Sequence, residues 1–202
     1  MSATRRQLGR PKDNWERGFA ALKKFKARKG HCRVPEENSK LERWVRDQRF
    51  RADALSPKRK KRLNAIGFIW HPHEHAWEKG FAALTKFKAR EGHCLVPRFH
   101  MLGGYKLGQW VAEQRHREDT VSPKHKKRLN SIGFIWDPHE HAWEKGFAAL
   151  TKFRAREGHC RVPASHIEGK YKLGQWVTVQ RAKMPPERRT RLNKIGFVWR
   201  AS

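Results

Sequence analysis

The chain has 202 residues, with 47 Lys and Arg against 19 Asp and Glu, a formal charge of +28 and a sequence pI near 11.0. Such an excess points to polyanionic partners, chiefly nucleic acid. A 37% hydrophobic content with nine Trp at ordered positions excludes a disordered basic tail, and no apolar run approaches the roughly 18 residues of a membrane span.

In chain order, residues 1–12 read as a basic, flexible lead with charge but no apolar core, so no signal peptide is expected. A first helix is predicted from Asp13 or Asn14 to Lys29, with Trp15, Phe19, Leu22 and Phe25 as its core-facing stripe. Gly18 falls within that stripe, which implies that another helix or a Trp ring approaches the backbone there. Gly30 reads as the helix stop. It opens the run Gly30-His31-Cys32-Arg33-Val34-Pro35, whose Val-Pro step forces an extended turn.

A second helix carries Leu41, Trp44, Val45 and Gln48. The glutamine sits mid-stripe, half buried, and must find a partner, expected in the backbone of the Gly-His-Cys turn. Ser56-Pro57 opens a third helix as N-cap and first-turn proline. Leu63 and Ile66 form its apolar edge and Gly67 its stop, after which Phe68-Ile69-Trp70 should fold back on its own core or on the next unit.

The same succession then returns twice. The Gly-His-Cys-x-Val-Pro run recurs at Gly92 and at Gly158, and the Ile-Gly-Phe-x-Trp ending closes at Trp70, Trp136 and Trp199. The expected fold is all-α, a helical repeat array of three tandem three-helix units: repeat 1 over 13–72, repeat 2 over 73–138 and repeat 3 over 139–202. Units of roughly 60 residues have marginal cores. Asp137-Pro138-His139-Glu140 has the makings of an N-cap that starts a helix directly after Trp136, and His71-Pro72-His73-Glu74 copies it with a poorer cap.

Two departures break the repetition. Pro35 to Trp44 is nine residues, whereas Pro97 to Trp110 and Pro163 to Trp176 are thirteen, which marks this segment as a surface loop. Before the last helix, Met184-Pro185-Pro186 replaces the Ser-Pro pair.

Charge gathers in the second half of each unit. Arg43 to Arg62 holds nine Lys/Arg and two Asp, Gln109 to Arg128 six against three acids, and Gln175 to Lys194 six against one. A helix whose first turns carry several cations can bind phosphates with side chains and exposed amides together, and a basic last helix also suits major-groove docking. The candidate nucleic-acid contacts are Arg46, Arg49, Arg115 and Arg181 on the second helices. On the third helices they are Lys58, Arg59, Lys60, Lys61 and Arg62, then Lys124, Lys126, Lys127 and Arg128, then Arg188, Arg189 and Arg191. His31, His93 and His159 are candidates for a phosphate or a turn contact. Asn64, Asn130 and Asn193 recur near the end of the third helix, as polar surface, local cap or adenine contact.

The tryptophans lie mainly on core stripes, and Trp70, Trp136 and Trp199 are the ones expected to be partly exposed to a stacking base. Cys32, Cys94 and Cys160, one per repeat, cannot pair evenly and read as reduced, buried packing residues of an intracellular protein. Adjacent His-Cys pairs lack zinc-ligand spacing, and no phosphate-binding glycine loop or paired carboxylates occur. No metal, no cofactor, no small-molecule substrate and no catalysis are expected.

The joint pattern W-x₂-G-F with L-x₂-F, G-H-C-x-V-P, L-G-x-W-V-x₂-Q-R and L-x₂-I-G-F-x-W resembles the helicase-associated domain, found in several copies beside some bacterial helicases. The resemblance covers residues 13 to 200, with Leu41-Glu42-Arg43-Trp44 departing from the Leu-Gly-Gln-Trp form, and no motor-domain motif accompanies it. It implies a three-helix module with a role in binding nucleic acid.

The expected function is therefore non-enzymatic nucleic-acid binding, DNA rather than RNA, with a helicase or other DNA-processing protein as a further partner. The alternative is a scaffold docking an acidic partner through loops such as 98–105 and 165–171; charge reversal at Lys60 and Lys61 separates the two. An intracellular location follows, nucleoid or cytoplasm in a bacterium and nucleus in a eukaryote.

Overall fold

A computed structural model describes residues 11–36, 39–182 and 185–200. The lead expected over residues 1–12 lies outside the described residues up to residue 10, and Pro11 and Lys12 belong to the first helix. Met184 also lies outside them.

The described chain is all-α. Its helices are α1 Pro11–Lys29, α2 Ser39–Phe50, α3 Pro57–Ala65, α4 Pro72–Glu91, α5 Leu107–His116, α6 Pro123–Ser131, α7 Pro138–Glu157, α8 Leu173–Ala182 and α9 Pro186–Lys194, with a short 3-10 turn over Ala52–Ala54. None of them is long and apolar enough to cross a membrane. Two compact units divide the chain, residues 1–82 and residues 83–202.

In the first unit, Trp15, Phe19, Leu22 and Phe25 of α1 are buried with Cys32, Leu41, Val45, Leu63 and Phe68. Each fully buried leucine or valine contributes about 1.5–3 kcal/mol of hydrophobic stabilisation, so the three helices depend on one another. Gly18 is where they come closest: a Cβ there would stand 2.2 Å from Nε1 of the Trp44 indole. The ring approach expected at this glycine comes from α2.

In the second unit, the last repeat builds the same core from Trp143, Leu150, Phe153, Cys160, Val162, Leu173, Val177, Leu192 and Phe197. Gly146 receives Trp176 as Gly18 receives Trp44. The middle of the chain buries Leu84, Phe87, Cys94, Val96, Leu107, Trp110, Val111, Leu129 and Phe134.

Helix ends follow the caps. Asp137 accepts hydrogen bonds from the backbone N–H of His139 at 2.7 Å and of Glu140 at 3.0 Å, opening α7 at Pro138. Ser122 accepts from the N–H of His125 at 3.3 Å, while Ser56 occupies the cap position of α3 without a side-chain bond. At the other end, Gly67 has φ +67°; its N–H reaches Asn64 O at 2.8 Å, and the Phe68 N–H reaches Leu63 O at 3.1 Å. That pair of bonds closes the helix through a left-handed glycine and turns Phe68 back into its own core. Phe134 and Phe197 return by the same bonds.

Candidate nucleic-acid interface

The cations expected to meet phosphate divide into those the protein uses internally and those it leaves in solvent. On α2, Arg46 is 67% exposed, with Glu42 at 3.9 Å. Arg49 is half-buried, and its Nε donates to Ile69 O at 3.0 Å while the guanidinium lies 5.5 Å from the centre of the Phe68 ring. Arg115 does the same with Ile135 O at 2.8 Å and Phe134, and Arg181 with Val198 O at 3.0 Å. Burial lowers the pKa of Arg49 and Arg115 from the usual arginine value. The sequence groups these three with the phosphate contacts; in the structure their Nε–H groups also cross-link the closing segment to the second helix. The reason lies in packing: each closing carbonyl needs a donor once its chain turns inward against the second helix.

On the third helices a similar division holds. Arg59 and Arg62 both lie 4.8 Å from the Trp15 ring, and Arg62 forms a two-pronged pair with Glu16 at 2.6 and 2.8 Å. Arg188 and Arg191 cover Trp143 at 5.1 and 4.5 Å, bonded to Glu140 at 2.6 Å and to Glu144 at 3.0 Å respectively. The Arg62 and Arg191 guanidiniums hold the carboxyls of Glu16 and Glu144 below the usual range. These arginines clamp the last helix of a repeat onto its first through an aromatic face.

The remaining cations are mixed. Lys58 and Lys61 on α3 are exposed, as are Lys124 and Lys127 on α6 and Arg189 on α9. Lys60 lies 3.9 Å from Asp53 and Lys126 3.1 Å from Glu118. Lys126 and Arg189 also lie over the closing rings of Trp136 and Trp199, at 5.3 and 4.8 Å. Arg128 is half-buried.

Gln48 corrects its expected role. Its Oε1 accepts from Trp15 Nε1 at 2.9 Å and its Nε2 donates to Trp44 O at 3.3 Å, away from the Gly-His-Cys turn. Gln180 repeats this with Trp143 and Trp176. The turn instead looks after itself: His31 Nδ1 accepts from the Arg33 N–H at 3.2 Å, and His159 from that of Arg161 at 3.4 Å. His93 is exposed beside Phe87.

The buried thiols of Cys32, Cys94 and Cys160 donate to the carbonyls of Ile66, Ile132 and Ile195 at 3.2, 3.3 and 3.1 Å, and burial pushes all three thiols up in pKa. Asn64, Asn130 and Asn193 each accept from the indole N–H of Trp70, Trp136 or Trp199 at 2.7 Å. That bond ties the side-chain oxygen to the closing Trp, as a local cap of the segment that ends each repeat. Among the described residues no three His, Cys, Asp or Glu side chains group in a metal-holding arrangement.

Phe50 stands apart from the repeat pattern. At the end of α2 it is 89% exposed, and Arg43 and Arg46, also exposed, share its helix face at i−7 and i−4 spacing. The repeat-two and repeat-three positions matching Phe50 are His116 and Ala182, so alignment of the repeats was the only signal in the sequence that could have found it.

A family model, the helicase-associated domain, matches the chain three times, over residues 12–71, 74–137 and 140–200. No curated protein and no solved structure matches it.

Proposed function

This chain belongs to the helicase-associated domain family, three copies in tandem, and on that premise we propose that it binds nucleic acid, DNA in preference to RNA, through backbone phosphates and without catalysing a reaction. The observation that carries this reading is where the acids go. Glu16, Glu140 and Glu144 are committed to arginines of their own repeats. Lys58 and Lys61 stand exposed one turn apart on α3, as Lys124 and Lys127 do on α6. Internal pairing leaves the net charge unchanged, so the +28 excess is presented to solvent and a polyanion relieves it.

Linked modules that each hold a few phosphates gain affinity from being on one chain. Anisotropy of labelled duplex DNA, single-stranded DNA and RNA over a salt series tests the reading. The expected result is a steep linear fall of log K with log salt, corresponding to on the order of six phosphates or more, with duplex DNA bound tightest. Affinity no greater than that of an unfolded peptide of equal charge sinks it.

A second reading keeps a specific observation. Phe99 and Met101 on one loop are 88% and 51% exposed, and Ile167 on its counterpart is 57% exposed. Apolar side chains beside cations suit an acidic protein partner such as a helicase or another DNA-processing protein. Substituting Phe99 and Ile167 with Ser should then abolish partner capture and leave DNA affinity intact.

A further inference from the structure

The second and third repeats each seat one of their own rings on the phenylalanine of the first helix. His100 stands edge-on to Phe87 with centroids 4.9 Å apart, and His166 to Phe153 at 4.8 Å. The longer loops bring these rings in. The Gly108 N–H donates to His100 O and the Gly174 N–H to His166 O, both at 3.0 Å. A Cβ on either glycine would meet the carbonyls of Pro97 or Pro163 at 2.2 Å.

The first repeat lacks the arrangement. Its loop is four residues shorter, Glu36 to Ser39 carries no ring, and Glu42 replaces the glycine. Among the described residues Phe25 retains one ring neighbour, His31 at 6.0 Å, which matches the second neighbour of Phe87 and Phe153.

A groove of about 460 Å³ lies between α1 and α2, with Phe25, Leu41 and Trp44 as its apolar lining and Lys24, Arg28 and Lys40 as its charged lining. That volume lies within the range of about 300–1,000 Å³ typical of small-ligand sites. All three cations are exposed, and among the described residues no carboxylate lines the groove. Phe25 of the lining corresponds to Phe87 and Phe153, the rings that meet His100 and His166, so a planar ring suits this groove, and three cations beside it suit the phosphates on either side of that ring.

We propose that this groove holds one unpaired base of a nucleic-acid strand, the ring against Phe25 and Trp44 and the flanking phosphates on Lys24, Arg28 and Lys40. The assignment rests on the nucleic-acid reading above and adds a site for a flipped or overhanging nucleotide in the first repeat. Stacking on aromatic rings accepts any base, so the site recognises an unpaired base without selecting its identity.

The test uses the full chain and two probes, a fully paired DNA duplex and the same duplex with one unpaired terminal 2-aminopurine nucleotide. The overhang probe should bind about tenfold more tightly than the paired one, and its 2-aminopurine fluorescence should fall on binding. Ala21→Trp, which fills the groove from the exposed Ala21 in its wall, should remove both effects while leaving affinity for the paired duplex and its salt slope unchanged. Circular dichroism checks its helicity, and Ala21→Gln serves if the larger side chain perturbs folding.

Equal binding of the two probes with unquenched 2-aminopurine overturns the groove and leaves phosphate binding standing. Quenching that survives both groove variants but is lost in Phe50→Ala overturns it in favour of the exposed phenyl of α2. Salt-insensitive, negligible binding of both probes removes the nucleic-acid reading and the groove together.

Discussion

Gln48 and Gln180 show how much rests on single polar side chains in a small core. Each accepts from an indole N–H more than thirty residues away in sequence, at 2.9 and 3.1 Å. In Gln180→Ala the Trp143 N–H stays buried and loses its acceptor, which costs about 1–3 kcal/mol and should lower the urea midpoint accordingly. A pattern reading could place this glutamine inside the stripe but could not name its partner, because the partner is set by how the second helix crosses the first.

Glu168 is a second residue-scale device. Arg156 and His166 hydrogen-bond it, and Arg156, then His166, hold its carboxyl down to about 2. A carboxyl depressed in the folded state stabilises above its unfolded value and loses that contribution as pH falls. The window here runs from the ordinary 4.5 down to about 2. Over that window the melting temperature of the wild type should drop more than that of Glu168→Gln, and the two should converge at the acid end.

At the scale of elements, glycines decide where helices touch. A Cβ on Gly146 would stand 2.1 Å from the Trp176 ring, so Gly146→Ala should destabilise by about 1–3 kcal/mol through forced repacking, measured by thermal unfolding. The first-helix glycine was legible: it interrupts an apolar stripe where only a close neighbour makes sense. The second-helix glycines were not. Gly108 and Gly174 yield to backbone carbonyls of a loop, and the contrast with Glu42 becomes intelligible only once the shorter first loop is seen to leave that place open.

Helix boundaries came through well where a cap or a glycine marks them, as at Asp137 and Gly67. The start of α1 lies earlier than the apolar stripe suggests, at Pro11, since proline fits a first helical turn and needs no donor.

At the scale of the whole molecule, charge governs association. Lys58→Glu with Lys61→Glu removes two outward cations and adds two anions, and neither lysine is a member of a described ion pair. It should weaken duplex binding by about tenfold or more and reduce the salt slope by about 2, one for each phosphate no longer neutralised. Arg49→Ala provides the contrast, since its Nε holds Ile69 O and its stem covers Phe68; it should lower the melting temperature first.

Sequence alone was enough for the repeats, the all-α class and the positive excess, because recurrence, apolar periodicity and charge are properties of the chain that survive unfolding. It also marked the families of arginine and asparagine positions, but as one undifferentiated basic surface. Only the tertiary structure divided them. Arg49, Arg62 and Arg191 turn inward to carbonyls, carboxylates and rings, Asn64 meets Trp70, and the lysines Lys58 and Lys61 are left facing water. A planar guanidinium can satisfy several acceptors while lying on an aromatic face, whereas an ammonium is a strongly hydrated point charge. Which arginine finds such acceptors depends on contacts between residues far apart in the chain, and those exist only once the helices have packed.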